Sequence, residues 1–217
     1  MEILRGSATF RYGMSNPEQL VGWLEENQDI AGVSFVGRSN VGKSSMINAL
    51  FGKGVARTSN TPGRTREINI FSFKLSDGKE EHPKDFWLFD LPGYGHAQVS
   101  KEMSRQWDVL MNDFFTHCSP ALQMINIQDS RHPNQDADQR FQQYLKPFDF
   151  STTLVFNKMD KLKKQKERAA LNKIKPELFK AYKWVKDIHF VSAEKGDGLK
   201  ALHDSIVTHL LQSVAEI

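Results

Sequence analysis

Short apolar, β-branched stretches alternate along the chain with longer stretches in which apolar residues recur at helical spacing. The predicted strands are Val33–Val36, Ile68–Leu75, Phe86–Phe89, Leu122–Gln128, Thr152–Phe156 and His189–Val191. The predicted helices are Lys43–Phe51, Lys101–His117, Asp136–Leu145, Leu162–Tyr182, Leu199–Val214 and a short leading helix, Pro17–Leu24, capped by Asn16. Strands separated by helices indicate right-handed βαβ units, so we expect a mostly parallel sheet with helices on both faces.

Two neighbouring predicted strands, Ile68–Leu75 and Phe86–Phe89, break this alternation. Only SDGKEEHPKD separates them, which is too short for a crossover helix, so they should pair as an antiparallel hairpin at a sheet edge. We therefore predict an α/β three-layer sandwich whose sheet is six-stranded, mostly parallel, and has one antiparallel edge strand. Residues Gly52–Arg66 and Gly93–Ser100 are predicted to be loops.

The composition is that of an ordinary folded domain. The 217 residues are 39% hydrophobic and 25% charged, with a mean hydropathy of −0.51, and this length supports one large core. No apolar run approaches the roughly 20 residues that cross a bilayer, and the N-terminal residues lack a signal pattern. The single Cys118 excludes an internal disulfide and a cysteine-rich metal site. We therefore expect a cytoplasmic, monomeric protein without direct membrane contact.

Positive charge is concentrated in one segment of the chain. The net charge is +3 and the isoelectric point about 8.9. Between Lys158 and Lys186, eleven Lys or Arg residues stand against three acidic residues. Such a run is typical of a solvated helix face, and it also fits a surface that contacts a polyanion such as RNA.

The segment Gly37–Ser44 reads GRSNVGKS and matches the pattern G-x-x-x-x-G-K-[ST]. The apolar strand VSFV precedes it and the helical stretch SSMINAL follows it, which is the context that a phosphate-binding loop requires. Backbone N–H groups and the helix N-terminus would face phosphate oxygens, Lys43 would add positive charge, and the Ser44 hydroxyl could ligate Mg²⁺. The residues assigned to this loop are Gly37, Arg38, Ser39, Asn40, Val41, Gly42, Lys43, Ser44 and Ser45.

The predicted strand FWLFD ends at Asp90, and the chain continues as DLPGYG. The Asp90 carboxylate is the expected partner of Mg²⁺, through water, and the N–H of Gly93 should face the terminal phosphate. A Pro-Gly turn after Asp is common by itself, but this one follows a phosphate loop by about 50 residues. The residues assigned to this turn are Asp90, Leu91, Pro92 and Gly93.

Two short segments that follow later strands predict the base. NKMD follows the strand TTLVF, and SAE follows HFV. The Asp160 carboxylate can accept hydrogen bonds from N1–H and the 2-amino group of guanine, a donor pair that adenine lacks. The stem of Lys158 can lie against the purine, and a backbone N–H of SAE can reach guanine O6. The residues assigned to the base are Asn157, Lys158, Met159, Asp160, Val191, Ser192 and Ala193.

The stretch TPGRTREINIF, between the phosphate loop and the Asp90 strand, carries further candidate ligands. A threonine in this loop can bring its hydroxyl to Mg²⁺ and its N–H to the γ-phosphate. Thr58, Thr61 and Thr65 are candidates, and Thr65 is preferred because it lies next to the following strand.

These segments, together with SRQW at Ser104–Trp107, resemble the EngB/YihA/YsxC GTPases among the Era-like GTPases. The resemblance extends from about Ile30 to Val214, and it departs at Asn157, where many members have Thr. It implies a P-loop GTPase domain over residues 30–217, with an N-terminal extension over residues 1–29 packed on it. It also implies roles in assembly of the large ribosomal subunit and in normal septation. The further residues that it places at GTP or Mg²⁺ are Gly63, Arg64, Thr65, Arg66 and Glu67.

Tyr94 stands where a glutamine would orient the attacking water. A phenol lacks the amide pair, so we expect slow hydrolysis that depends on Mg²⁺, Lys43, Thr65, Gly93 and the loop dipoles. In K⁺-activated relatives an asparagine at the position of Asn40 ligates a cation between the α- and γ-phosphates, which makes K⁺ a second candidate cofactor. Asn40 could equally be a turn residue that caps its own loop.

Three functions remain open at this point. The first is a GTPase switch that binds large-subunit precursors, with the basic segment Lys158–Lys186 in contact with rRNA. The second is a nucleoside kinase, but Arg105, Arg131 and Arg140 do not form the arginine cluster of an acceptor lid, and a kinase would not require NKMD with SAE. The third is a membrane-associated division factor, for which no amphipathic anchor or lipidation motif is present.

Overall fold

The strands and helices of the protein are taken from a computed structural model that describes residues 1–57, 67–95, 101–148 and 150–216. Its strands are β1 (Glu2–Ile3), β2 (Thr9–Met14), β3 (Gly32–Gly37), β4 (Ile68–Phe73), β5 (Leu75–Ser76), β6 (Phe86–Asp90), β7 (Leu122–Asp129), β8 (Thr152–Asn157) and β9 (Val185–Phe190). Its helices are α1 (Pro17–Glu26), α2 (Lys43–Phe51), α3 (Lys101–His117), α4 (Asp136–Leu145), α5 (Gln165–Ala181) and α6 (Leu199–Glu216).

Seven of the described strands form one sheet in the order β2-β4-β6-β3-β7-β8-β9. From β6 to β9 all neighbours are parallel, whereas β4 is antiparallel to both β6 and β2. The α/β fold class is therefore confirmed, and so is the antiparallel pairing of β4 with β6. The sheet has one strand more than the six predicted, however, and the antiparallel strand lies one position in from the edge.

The additional strand, β2, gives no apolar pattern that would reveal it. Its first five residues are exposed and only Met14 is buried. A bulge between Phe10 and Tyr12 interrupts its pairing with β4. Because β2 is joined to the sheet by backbone hydrogen bonds at an edge, its side chains need not be apolar.

Most predicted helix boundaries agree with the structure. The bounds of α2, α3 and α4 are those predicted, and Asn16 caps α1 by accepting from the N–H groups of the first turn. Helix α5 begins at Gln165 and not at Leu162, because the backbone is extended at Leu162 and at the N-cap Lys164. Strand β9 begins at Val185, four residues before the predicted start.

Helices cover both faces of the sheet, and the core lies in two layers between helices and strands. On one face, α2 and α6 contribute Met46, Ile47, Leu50, Phe51, Leu202, Ile206 and Leu210. On the other face, α1, α3 and α4 contribute Leu20, Leu24, Leu110, Met111, Phe114 and Phe141. All residues of β3, β7 and β8 are buried, as expected for parallel strands covered on both sides.

The topology brings the carboxyl ends of β3, β6, β7, β8 and β9 to one edge of the sheet. Strand β3 has β6 on one side and β7 on the other, and the order in which the strands are added reverses there. A crevice forms at such a switch point, and ligands of open α/β sheets bind there. Among the described residues, no helix is long and apolar enough to span a membrane.

Candidate functional site

The phosphate loop lies at this switch point, between the end of β3 at Gly37 and the start of α2 at Lys43. Two of its residues have positive φ, 63° at Asn40 and 95° at Gly42. A Cβ on Gly42 would lie 2.4 Å from Asn157 Nδ2, so this position has no room for a side chain. The loop therefore exposes backbone at the helix N-terminus, the arrangement that binds phosphate oxygens.

Lys43 and Asp90 meet beside this loop. Asp90 is paired in register with Phe35 of the adjacent β3, so the end of β6 lies next to the phosphate loop. Lys43 Nζ forms an ion pair with Asp90 Oδ1, and the Asp90 residue is only 6% exposed. Ser44 follows Lys43 and is half-buried. Hydroxyl and carboxylate oxygens, such as those of Ser44 and Asp90, are ligands of the kind that Mg²⁺ prefers.

The turn after Asp90 is held against the phosphate loop by backbone contacts. The N–H of Leu91 donates to a β3 carbonyl at 3.0 Å, and the N–H of Tyr94 donates to Gly37 O at 3.3 Å. A Cβ on Gly93 would lie 3.0 Å from Gly37 O, so a side chain there would be tightly crowded against the phosphate loop. From α3, Trp107 Nε1 donates to Pro92 O at 3.4 Å.

Asn157 connects the phosphate loop to the two predicted base-binding segments. Its Nδ2 donates to Val41 O at 3.0 Å, and its Oδ1 accepts from the N–H of Ala193 at 3.0 Å. The residue is 2% exposed. Asn157 was predicted to lie at the base, and the structure makes it a buried link between the phosphate loop and the turn at Ala193.

Lys158 and Asp160 follow on either side of a half-buried Met159. Lys158, with φ of 69°, reaches across the loop and donates to Asn40 O. Ser192 Oγ donates to Asp160 Oδ1 at 2.6 Å, and Lys161 Nζ lies 3.0 Å from Asp160 Oδ2. The hydrogen bond from Ser192, supported by Lys161, lowers the pKa of Asp160 below its usual value, so this carboxylate is ionised at neutral pH.

The third predicted element of the base site is the turn after β9. The N–H of Met159 donates to Val191 O at 3.1 Å, which joins this turn to NKMD. Within the described residues, the N–H of Glu194 has no protein acceptor, whereas that of Ala193 is taken by Asn157. A donor for a base oxygen is thus available in SAE.

Asp129 is a site residue that sequence reasoning missed. It ends β7, opposite Asn157 in the β7–β8 register, and its Oδ2 accepts from Lys158 Nζ at 3.0 Å. Arg131 adds hydrogen bonds at 2.9 and 2.6 Å. Burial alone would raise the pKa of Asp129, but the hydrogen bonds from Arg131 and Lys158 lower it overall. The available signal was its position, since the carboxyl ends of neighbouring parallel strands share one edge.

Arg38 and Tyr94 are turned away from the phosphate loop. Arg38 donates to Asp138 Oδ1 of α4 at 3.0 Å and to His132 O at 3.0 Å. The hydroxyl of Tyr94 donates to Asp138 Oδ1 at 2.8 Å. At Arg38, which was assigned to the phosphate loop, and at Tyr94, which follows Gly93, the backbone lies beside the phosphate loop and the side chain does not.

The predicted Mg²⁺ ligand Thr65 lies outside the described residues. So do Gly63, Arg64 and Arg66, and the alternative threonines, Thr58 and Thr61. Glu67 is described and exposed, and its carboxylate lies about 3 Å from where a Cβ on Gly13 of β2 would be. The side chain of Glu67 therefore lies against the edge strand.

This combination of a strand-loop-helix phosphate site and two base-side turns on a parallel sheet defines a P-loop nucleotide-binding protein. The family model described as 50S ribosome-binding GTPase matches residues 32–158. The probable GTP-binding protein EngB of Thermotoga maritima is 39% identical over 181 residues, which cover 83% of this chain and 87% of that protein. The chain belongs to the EngB family of GTP-binding proteins, and these proteins are GTPases.

Solved structures agree in fold. The crystal structure of a probable GTP-binding protein engB matches with a TM-score of 0.58 and 25% identity, covering 86% of this chain and 100% of that one. Era of Aquifex aeolicus bound to GDP and AlF4⁻ matches with a TM-score of 0.66 and 23% identity. That match covers 83% of this chain and 57% of Era, so this chain spans little more than half of the Era chain.

Proposed function

We propose that this protein is a GTP-dependent switch that hydrolyses GTP slowly and acts on precursors of the large ribosomal subunit. The observation that carries the nucleotide assignment is the link through Asn157. This one buried amide joins the phosphate loop to the turn at Ala193, while Asp160 lies just beyond it in NKMD. The elements that would hold phosphate and guanine are thereby assembled as one site.

On the phosphate side, Gly37–Ser45 would wrap the phosphates, with Lys43 at the β- and γ-phosphates and Gly93 N–H at the γ-phosphate. Ser44 and Asp90 would hold Mg²⁺, with Thr65 as a third ligand. Lys43 pairs with the Asp90 carboxylate. An entering phosphate would take Lys43 as its partner, and an entering Mg²⁺ would take Asp90. Era, which shares the fold, has been crystallised with MgGDPNP.

On the base side, the Asp160 carboxylate would accept both guanine donors. It is already oriented by Ser192 and Lys161, so little ordering is required when the base enters. Lys158, anchored to Asp129 and Asn40, would lie with its stem along the purine. Val191, Ser192 and Ala193 would close the pocket near O6.

K⁺ is proposed as a second cation, held in part by Asn40. The Asn40 side chain is exposed and forms no hydrogen bond with the described residues, which disfavours a turn residue that caps its own loop. The phenol of Tyr94 is engaged by α4, so it does not face the loop as a water-orienting group. A slow intrinsic rate is therefore the expected behaviour.

The nucleotide assignment is tested by titration of the purified protein with fluorescent GDP and ADP, with Mg²⁺ or EDTA. We expect GDP to bind about a hundredfold more tightly than ADP or better. Lys43→Ala should abolish GTP hydrolysis and weaken binding, while the exposed Lys53, just beyond α2, gives a matched control in Lys53→Ala. Equal affinities for GDP and ADP would rule out the guanine site, and hydrolysis retained in Lys43→Ala would rule out the phosphate loop as its location.

The ribosomal partner is proposed to contact one stripe of α5. Lys166, Lys173 and Lys180 are exposed and seven residues apart, so at 3.6 residues per turn they lie on one face, at intervals of about 10 Å. Leu171 and Leu178 are buried and face the sheet. The exposed stripe presents positive charge without a fixed arrangement of hydrogen-bond donors. Contacts with RNA phosphates position a protein and need no exact donor pattern, so this stripe suits them.

Co-sedimentation with large-subunit precursors, with a GTP analogue or with GDP, tests this partner. Replacing the three stripe lysines with Gln should weaken particle binding, and the log–log salt slope should fall by about one unit for each phosphate that the variant no longer neutralises. The control replaces three other exposed lysines, Lys53, Lys79 and Lys84. Equal effects of both triple variants would show that α5 is a solvated face.

We propose that any effect on septation is indirect, through ribosome supply, and that the protein acts in the cytoplasm as a monomer. The family match favours a GTPase over the nucleoside kinase that the phosphate loop also allowed. Binding to lipid vesicles without binding to ribosomal particles would instead support the membrane-associated division factor.

A further inference from the structure

A buried polar cluster connects α4 to both the phosphate loop and the turn after Asp90. Its centre is Asp138, whose side chain is fully buried. Asp138 Oδ1 accepts from Arg38 Nε at 3.0 Å and from the Tyr94 hydroxyl at 2.8 Å. Asp138 Oδ2 accepts from the N–H of Gln135 at 3.0 Å, at the start of the same helix.

Tyr94 is fixed in this cluster by more than one contact. Its ring stacks on Phe141 with centroids 4.3 Å apart and an interplanar angle of 9°. Its oxygen accepts from Asn126 Nδ2 at 3.0 Å. Burial, followed by the charge of Asp138, raises the pKa of Tyr94 well above its usual value, so the hydroxyl stays protonated and keeps donating to Asp138.

The cluster continues one turn further along the same face of α4, through Gln142. Gln142 Nε2 donates to Asn126 Oδ1 at 3.2 Å, and Trp184 Nε1 donates to Gln142 Oε1 at 3.0 Å. Each of these polar groups is buried and hydrogen-bonded. Satisfied buried networks of this kind specify one arrangement, because any other would leave groups unpaired.

We infer that Asp138 is a positioning residue for GTP hydrolysis, acting through Tyr94 on Gly93. This inference rests on the proposed function, in which the Gly93 N–H faces the γ-phosphate. Tyr94 directly follows Gly93, and its own N–H donates to Gly37 O at 3.3 Å. With the Tyr94 side chain held on α4 and its backbone held on β3, the Gly93 peptide has one orientation beside the phosphate loop.

The same carboxylate also holds Arg38, at the start of the phosphate loop. Asp138 therefore sets the loop and the turn after Asp90 relative to each other from outside the nucleotide site. Gly93 would contact only the γ-phosphate. Loosening the link between Asp138 and the turn after Asp90 should therefore weaken binding of GTP and of the transition state for its hydrolysis, while leaving GDP binding unchanged.

Tyr94→Phe tests the inference with the least disturbance, since it keeps the ring on Phe141 and removes only the hydroxyl. We expect single-turnover GTP hydrolysis to slow by about tenfold and GDPNP affinity to fall severalfold, with GDP affinity within about twofold of the parent. Asp138→Asn removes the charge but leaves an oxygen that can still accept from Tyr94, so it should shift hydrolysis and GDPNP affinity in the same direction and by less. Tyr182→Phe is the control, because it removes another buried phenol hydroxyl, one that donates to Asn134 at 3.0 Å.

The comparison of GDP with GDPNP separates positioning from a structural role, since a poorly folded variant would lose both affinities. Thermal melts verify folding. If Tyr94→Phe does not fold, the same measurements on Asp138→Asn test the inference. Wild-type hydrolysis and wild-type GDPNP affinity in both variants would overturn the inference, and so would tighter GDPNP binding, which would mean that the cluster opposes the GTP-bound state. Either result would leave the proposed function intact, because that depends on Lys43→Ala and on the choice of GDP over ADP.

Discussion

Replacing Asp160 with Asn is the sharpest test of base recognition, because it keeps the size of the side chain and an acceptor for Ser192 while removing the charge and the ion pair with Lys161. Asp160 Oδ1 accepts from Ser192 Oγ at 2.6 Å, and an amide oxygen can still do so. The other carboxylate oxygen, which lies 3.0 Å from Lys161 Nζ, becomes an NH₂ group. That group would face the N–H donors of guanine, so two donors would meet where donor and acceptor met before.

The expected cost follows from the hydrogen bonds that the substitution removes. Hydrogen bonds to a charged acceptor contribute about 1.5–3 kcal/mol each, and leaving a buried donor unpaired costs a similar amount. One bond removed and one donor left unpaired give at least about 3 kcal/mol, which corresponds to a GDP affinity at least about two orders of magnitude weaker. Since Ser192 and Lys161 already orient the carboxylate in the protein alone, no ordering term on binding offsets this loss.

The assay is equilibrium titration with GDP, ADP and xanthosine diphosphate, read by fluorescence of a labelled competitor. Xanthine has a carbonyl where guanine has its 2-amino group, so the new amide can donate to it, and the variant should bind xanthosine diphosphate more tightly than GDP. Thermal melting verifies that the variant is folded. A GDP affinity within about threefold of the parent would refute the assignment of Asp160 to the base.

Three further outcomes are expected. Hydrolysis should be faster in K⁺ than in Na⁺, and Asn40→Ala should remove the difference; equal rates in both salts for the parent would exclude the cation while leaving the GTPase intact. Gly42→Ala should abolish nucleotide binding, because its Cβ would lie 2.4 Å from Asn157 Nδ2 and φ is 95°; unchanged GDP affinity in titration would contradict this. Hydrogen bonds from Arg131 and Lys158 keep the pKa of Asp129 low in the folded protein, so its ionised form stabilises the fold above about pH 4, and this stabilisation is lost as pH falls further. Asp129→Asn should therefore lower the melting temperature at neutral pH, with a difference from the parent that narrows toward about pH 3; a constant difference would refute the linkage.

The local elements were predictable because their signals lie within short stretches of sequence. The strand, loop and helix around GRSNVGKS follow from a G-x-x-x-x-G-K-[ST] motif between an apolar strand and an amphipathic helix. The helices α2, α3 and α4 end where helical spacing ends. Strand β2 was missed for the converse reason, since five exposed residues at a sheet edge carry no burial pattern.

Contacts between distant residues could not be predicted in this way. Asn157 reads as a base contact within NKMD, but its partners are Val41 and Ala193, on two other loops. Tyr94 reads as a residue near the attacking water, but its hydroxyl is bonded to Asp138, 44 residues away. Nothing in DLPGYG indicates that α4 will present a carboxylate to it.

The sequence by itself determined the class of nucleotide and most of the strands and helices, because each depends on local spacing and side-chain chemistry. Only the tertiary structure decided which polar groups are buried together. Burial removes water as an alternative partner, so a group such as Asp138 must find its donors in whichever elements pack around it. That packing depends on the whole sheet and its helices, and it places Arg38 and Tyr94 on one carboxylate that no motif contains.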